Sequence, residues 1–175
     1  MEFLETKLAG SFVVQPTKII DKRGFYSRVW DSNISKNFGL QDKFVQSNLV
    51  STKKKGTLRG LHYQKYPFQE IKLTRCIKGS IFVVIVDLRK KSSTYLDWYG
   101  IKLSKNNNKS LYVPKNFAHG YITLENDSDI FYQSSNVYSP KHEAGISWNV
   151  IKIGIKWPIK PKIISDKDSS WKNIE

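Results

Sequence analysis

The sequence is poor in several features, and each shortage excludes a class of protein. Its 175 residues include one cysteine, Cys76, so no disulfide can form within the chain and a reducing compartment is expected. No apolar run approaches the roughly 20 residues of a membrane-spanning helix. The first eight residues carry two acids and lack the apolar core of a signal peptide. We therefore expect a cytoplasmic protein with no membrane partner.

Acidic residues are also scarce, since 15 Asp and Glu stand against 29 Lys and Arg and give a formal net charge of +14. Such a surplus attracts anions, including nucleic acids and phosphorylated small molecules. The lysines are scattered, and the short runs at 53–55 and 90–91 lie in expected turns, where a run of charges is usually no more than solvated surface. Zinc-finger spacing, RNA-binding aromatic motifs and basic heptad helices are absent from the sequence. A nucleic-acid partner is therefore not expected.

Histidine is limited to His62, His119 and His142, with no His-x-His pair. A metal site in a barrel needs two histidines close together, with a third histidine and a carboxylate. We predict neither a metal nor another cofactor.

Helix signals are few, and strand signals dominate. One short helix is predicted over 31–39, where Ser32 could cap it and Gly39 would end it. The apolar run 82–86 is typical of a strand covered on both faces. Strands are predicted at 11–14, 24–30, 44–52, 57–64, 71–77, 80–88, 95–103, 110–113, 119–124 and 130–137, with Trp148, Ile153, Ile155 and Trp157 anchoring a docked tail. This pattern predicts a single all-β domain over 1–175, an antiparallel sandwich or a jelly-roll barrel with a ligand in its mouth.

The stretch 57–64, Thr-Leu-Arg-Gly-Leu-His-Tyr-Gln, is the centre of the chemistry that we expect. In a regular strand Arg59 and His62 would point to opposite faces. A bulge at Gly60 would break the alternation and bring both into one cavity. His62 suits a general base near neutral pH, although a structural histidine is the alternative.

Two other residues could complete a proton-transfer site. Tyr132, on a late strand, could supply the acid, or it could be a core tyrosine with a satisfied hydroxyl. Lys72 is flanked by apolar residues, so its amine could point inward, although a surface lysine fits the same pattern.

Several motifs together resemble one enzyme family. They are Arg23-Gly24-Phe25, Gln46-Ser47-Asn48, the stretch 57–64, Val86-Asp87-Leu88-Arg89, the stretch 113–120, Tyr138-Ser139-Pro140, Ile155-Lys156-Trp157-Pro158 and the stretch 165–168. In this order they resemble the dTDP-4-dehydrorhamnose 3,5-epimerases over most of the chain. The resemblance implies a cupin-type jelly-roll homodimer that uses no metal or organic cofactor and binds a nucleotide-diphosphate sugar.

The resemblance also implies roles for individual residues. His62 corresponds to the base, Tyr132 to the acid, Lys72 to the group facing the keto oxygen, and Asp168 to the carboxylate that orients His62, with Asp166 as the alternative. The positions that match the family's substrate-binding residues are Arg23, Phe25, Gln46, Asn48, Arg59, His119, Tyr138, Glu143 and Lys167.

Three positions depart from the family's pattern. Arg28 stands where a glutamate is usual, Glu70 replaces a glutamine and Val150 replaces an aspartate. The reversed charge of Arg28, close to Arg23, bears on which nucleotide is bound.

The function expected is inversion of C3 and C5 of a dTDP-4-keto-6-deoxyhexose. Proton abstraction next to a ketone needs a stabilised enolate, and inversion needs the proton returned to the opposite face. One alternative is inversion of C3 alone. Another is a non-catalytic binder of sugar nucleotides or nucleic acid, against which the residues His62, Tyr132 and Lys72 argue.

Overall fold

The computed structural model describes residues 1–40 and 43–174 and consists mainly of two facing antiparallel sheets. The first sheet has the strand order β1-β2-β10-β7-β12-β5, and the second has the order β13-β6-β11-β8-β9, with β14 parallel to β6. A separate hairpin pairs β3 with β4. The strands are β1 Glu2–Glu5, β2 Phe12–Gln15, β3 Ile19–Asp21, β4 Gly24–Tyr26, β5 Gln46–Thr52, β6 Thr57–Gln64, β7 Lys72–Lys78, β8 Ser80–Asp87, β9 Trp98–Ser104, β10 Ser110–Val113, β11 Phe117–Thr123, β12 Ser128–Ser134, β13 Glu143–Gly145 and β14 Ile163–Ile164. This is the all-β jelly-roll arrangement that the sequence predicts.

Strand β8 shows why the sheets pack as they do. Val83 and Ile85 point into the space between the two sheets, against residues such as Leu111. Val84 and Val86 point to the other face, where Ile153 and the rest of the C-terminal tail cover them. The prediction that the run 82–86 is covered on both faces is therefore confirmed, and burial of apolar surface on both faces holds the tail in place.

The two α-helices among the described residues are short: α1 spans Ser32–Lys36 and α2 spans Asp166–Ser169. The predicted cap of α1 was wrong, because Asp31 is the N-cap and its carboxylate accepts hydrogen bonds from the backbone of Asn33 and Ile34. The helix also ends at Lys36, three residues before Gly39, whose φ of +68° closes the turn.

Each of the ten predicted strand ranges overlaps a strand, but most of the bounds differ. The range 95–103 begins too early, because Leu96 has a φ of +67° and β9 starts only at Trp98. The elements β1, β3, β13, β14 and α2 were not predicted. They are two to four residues long, too short for a clear hydrophobic period.

Candidate active site

The bulge in β6 places two of the candidate residues in one cavity. His119 of β11 pairs with His62, whereas Tyr121 pairs with Arg59, so β6 contains one extra residue between the pairs. Gly60 lies in this bulge with a φ of +114°. A Cβ at Gly60 would lie 2.7 Å from the Cα of Gly120, so only glycine fits. The predicted bulge is confirmed, and Arg59 and His62 both line the cavity.

A carboxylate from the C-terminal tail contacts the imidazole of His62. Helix α2 begins at the cap Ser165, whose hydroxyl accepts a hydrogen bond from the backbone of Asp168. Asp168 Oδ1 lies 2.6 Å from His62 Nε2, and Oδ2 accepts a 3.1 Å hydrogen bond from the backbone N–H of Gly60. Asp168 is 5% exposed, whereas Asp166 is exposed to solvent. Asp168 is therefore the carboxylate that can orient His62.

The environment of Asp168 favours its ionised form. Burial raises the pKa of this carboxyl, but the hydrogen bond and charge of His62 and the N–H of Gly60 outweigh burial, so the pKa lies below its ordinary value. An ionised Asp168 can stabilise an imidazolium on His62 when that ring takes up a proton.

Tyr132 and Lys72 lie on the opposite sheet, across the cavity from His62. Tyr132 belongs to β12 and Lys72 to the neighbouring strand β7. The ammonium of Lys72 lies 5.4 Å from the centre of the Tyr132 ring and 3.1 Å from Glu70 Oε1. Burial, followed by the negative charge of Glu70, raises the pKa of Tyr132. The phenol therefore keeps its proton near neutral pH and can donate it.

These side chains share a cavity of about 180 Å³ between the sheets. A second cavity of about 280 Å³ shares Lys72 and Tyr132 with the first, so the two cavities adjoin at those residues. Gln46, Asn48 and Tyr138 line the second cavity.

His119 lines the first cavity and is 9% exposed. Its Nε2 is 3.5 Å from the hydroxyl of Thr74. Burial, followed by electrostatic interaction with Lys72 and then with His62, holds the pKa of His119 well below its ordinary value. His119 is therefore neutral near pH 7 and available for hydrogen bonding.

Glu143 and Lys167 form an ion pair beside the second cavity without lining either cavity. The hydroxyl of Tyr138 donates a 2.7 Å hydrogen bond to Glu143, and the backbone N–H of Tyr138 donates one to Gln46. Burial alone would raise the pKa of Glu143. The hydrogen bonds from Lys167 and Tyr138 have the larger, opposite effect, so the pKa of Glu143 lies below its ordinary value. This cluster fixes the position of Tyr138.

Arg23 and Phe25 are not brought to the cavity of their own chain. Both lie on the β3–β4 hairpin, where Arg23 forms an exposed ion pair with Asp21 at 2.6 Å and Phe25 is 55% exposed. Neither lines the two cavities described above. Instead, the ammonium of Lys18 lies over the Phe25 ring.

The three departures from the family's pattern have local structural partners. Arg28 forms an exposed 2.9 Å ion pair with Asp31, the cap of α1. Glu70 pairs with Lys72. Val150 is buried in the cluster between β8 and the tail, an environment in which an unpaired aspartate would be costly.

Three residues that line the cavity were not singled out from the sequence: Val50, Tyr121 and Ile130. Each is separated by two positions from a candidate residue on the same strand, namely Asn48, His119 and Tyr132. Because side chains repeat every two residues on one face of a strand, this spacing could have identified all three.

Within the described ranges, no three His, Cys, Asp or Glu side chains gather closely enough to hold a metal ion. In the same part of the chain, no helix has both the length and the apolar character needed to cross a bilayer.

Comparisons with known proteins agree on one family. The family model described as dTDP-4-dehydrorhamnose 3,5-epimerase matches residues 5–175. The enzyme of that name from Methanothermobacter thermautotrophicus is 40% identical, over 98% of this chain and 94% of the relative. The crystal structure of such an epimerase from Bacillus anthracis, with TDP and PPi bound, superposes with a TM-score of 0.95 at 37% identity and covers 99% of both chains. The Legionella pneumophila enzyme in complex with dTDP-4-keto-L-rhamnose has a TM-score of 0.92 at 32% identity, over 98% of this chain and 92% of the other.

Proposed function

Because the chain belongs to the dTDP-4-dehydrorhamnose 3,5-epimerase family, we propose that it inverts C3 and C5 of a dTDP-4-keto-6-deoxyhexose. The observation that carries the proposal is the placement of a base and an acid on opposite sheets of one cavity. His62, backed by Asp168, lies on one wall, and Tyr132 and Lys72 lie on the other. Two relatives that superpose on this chain hold TDP and a dTDP-linked keto sugar.

The first step is removal of the proton from a carbon next to the keto group. His62 Nε2 shares its hydrogen bond with Asp168, so Nδ1 of the imidazole is the nitrogen free to accept a proton. The C–H bonding electrons move toward the carbonyl and form an enolate. The ammonium of Lys72 is the cation that stabilises the negative oxygen.

The second step returns a proton to the same carbon from the other face. Tyr132 lies on the sheet opposite His62 and keeps its phenolic proton, because its pKa is raised. Transfer of this proton to the enolate carbon inverts the centre and leaves a tyrosinate on Tyr132 and an imidazolium on His62. Solvent then returns a proton to Tyr132 and accepts the proton from His62, so both groups are restored. Repetition at C5, after the sugar turns in the cavity, completes the double inversion.

Substrate binding uses cationic and polar groups along the two cavities. Arg59 is an exposed cation at the cavity edge and suits the diphosphate. Gln46, Asn48 and Tyr138 line the second cavity, where the nucleoside fits. The positive net charge of the chain would raise the rate at which a dianionic substrate is captured.

A homodimer is the assembly that we propose. Apolar side chains are exposed on the outer face of the first sheet, at Leu49 and Ile77, and on the hairpin, at Ile19 and Ile20. Patches of this kind favour association. Arg23 and Phe25, which do not line the cavity of their own chain, would then contact substrate in the cavity of the second copy. Light scattering should give twice the chain mass, and a clean monomer would contradict this assembly.

The cytoplasm is the compartment that we propose, because Cys76 is unpaired and buried, which suits reducing conditions.

The direct test of the activity is turnover of dTDP-4-keto-6-deoxyglucose followed by NMR. We expect formation of the inverted 4-keto sugar, and we expect the His62→Asn variant to lose it by a factor of about 10³ or more. If the wild-type protein gives no inversion but binds duplex DNA with a steep dependence on salt, it is a nucleic-acid binder and the proposal is wrong.

A further inference from the structure

We propose that Trp171 is a positioning residue that holds the His62–Asp168 pair in its reactive arrangement. This inference rests on the proposed function, because it concerns the same pair. It also makes a statement about the free protein that can be tested without substrate.

Trp171 follows helix α2 and lies three residues after Asp168, so the same tail segment supplies both side chains. The segment is tied to the barrel by a 3.1 Å hydrogen bond from the backbone N–H of Ser147 to the carbonyl of Lys172. The capped helix and this bond fix the backbone on both sides of Trp171.

The indole of Trp171 lies flat against the backbone of Gly145. A Cβ added to Gly145 would come within 2.4 Å of the indole atoms Cδ2 and Cε2 and within 2.7 Å of Nε1. Gly145 of β13 pairs with His62 of β6. Because Gly145 has no side chain, the indole of Trp171 has room to lie beside the imidazole of His62.

Trp171 contacts both members of the pair. Its ring centre lies 6.1 Å from that of His62 at an interplanar angle of 71°, an edge-to-face arrangement. Its Nε1–H is buried and makes no hydrogen bond of standard geometry, yet it lies close enough to Asp168 to help lower the pKa of that carboxyl. The indole thus restricts rotation of the imidazole and directs a donor toward the carboxylate.

A second tryptophan in the same tail offers a matched control. Trp157 Nε1 donates a 3.0 Å hydrogen bond to the carbonyl of Trp148, and its ring packs against Phe82 outside the cavity. Trp157→Phe and Trp171→Phe both delete one indole N–H from the tail and leave an aromatic ring. Only Trp171→Phe deletes the N–H beside Asp168.

The kinetic experiment compares wild type, Trp171→Phe, Gly145→Ala and Trp157→Phe. We expect Trp171→Phe and Gly145→Ala to lower kcat by a factor between about 10 and 100 with little change in KM, because the base is misplaced. The acid limb of the pH profile of Trp171→Phe should move to higher pH, since Asp168 loses a donor that favours its charged form. Trp157→Phe should keep the wild-type kcat and pH profile. If Trp171→Phe behaves like Trp157→Phe, the proposal is wrong.

A spectroscopic measurement on the substrate-free protein separates this proposal from the proposed function. The proton of the His62 Nε2–Asp168 hydrogen bond should give a downfield NMR resonance that is absent in Asp168→Asn. The resonance should shift or broaden in Trp171→Phe and remain unchanged in Trp157→Phe. An unchanged resonance in Trp171→Phe would overturn the positioning role even if the enzyme is active. A wild type without turnover would overturn the proposed function alone.

Discussion

At the scale of single residues, the site separates two chemical tasks onto two walls. His62 with its ionised partner Asp168 is suited to remove a proton, and Tyr132 with its raised pKa is suited to deliver one. Proton removal and proton delivery can therefore be abolished one at a time.

The Tyr132→Phe variant deletes only the acid. We expect inversion to fall by a factor of about 10² to 10⁴, while hydrogen exchange between the substrate and solvent continues, because His62 still removes the proton and returns it to the same face. NMR in heavy water measures exchange and inversion in one sample. Equal loss of both would contradict the assignment of Tyr132 as the acid, provided that the Tm is unchanged.

His119 makes the stability of the substrate-free protein depend on pH. Its pKa in the folded state is lowered, mainly by burial. Below about pH 6.5 the unfolded chain binds a proton at this histidine that the folded chain excludes, so this contribution to stability is lost as the pH falls. The contribution of Asp168, whose pKa is also lowered, is lost only at more acidic pH, below about 4.

The measurement is Tm as a function of pH for wild type and His119→Asn. We expect the wild-type Tm to fall more steeply between pH 6.5 and 5 than the Tm of the variant, since asparagine does not titrate. Parallel curves would show that His119 is not the group responsible.

At the scale of secondary-structure elements, the bulge of β6 determines which side chains face the cavity. Strand β6 and its neighbour β11 approach so closely at Gly60 and Gly120 that neither position has room for a Cβ. Without the extra residue, Arg59 and His62 would point to opposite faces.

The Gly60→Ala variant tests this element. We expect it to lower the free energy of unfolding by about 2 kcal/mol or more, since it combines a strained φ with a clash against backbone atoms. Gly24→Ala is the matched control, because Gly24 has a φ of +129° but no atom within 4 Å of an added Cβ. Denaturant unfolding measures both variants. An equal loss in the two would mean that the close packing of β6 on β11 contributes nothing.

Most of the strands, and the bulge in β6, could be predicted from the sequence. The bounds of β6 and β10 were predicted to the residue, because both stretches are bordered by turn-forming residues. The bulge could be predicted because a glycine stands between an arginine and a histidine. The short strands β1, β13 and β14 could not, because pairing with distant partners stabilises them rather than local preference. The contact of Trp171 with Gly145 likewise depends on how the tail docks, which no local pattern records.

At the scale of the whole molecule, the position of the hairpin β3–β4 in a single chain does not match the substrate-binding role that the family resemblance implies for it. The family resemblance assigns Arg23 and Phe25 to the substrate, but they do not line the cavity of their own chain. Contact with the cavity of a second copy reconciles the two observations.

Mixing two inactive variants tests this arrangement. Arg23→Ala has an intact cavity and His62→Asn has an intact hairpin, so a mixed dimer would contain one site with both groups. Random exchange of subunits at a ratio of 1:1 makes about half of the dimers mixed, so about a quarter of wild-type activity should return. If activity in the mixture stays at the sum of the separate variants, Arg23 does not act on the second copy.

Proton removal by His62 at both C3 and C5 should leave deuterium from heavy water at each of these two carbons. The protein is incubated with dTDP-4-keto-6-deoxyglucose in heavy water, and C3 and C5 are followed by NMR. We expect deuterium at both carbons, together with inversion at both. Deuterium and inversion at C3 alone would contradict the double inversion and identify a C3 epimerase, and no deuterium at either carbon would contradict the proton-transfer mechanism itself.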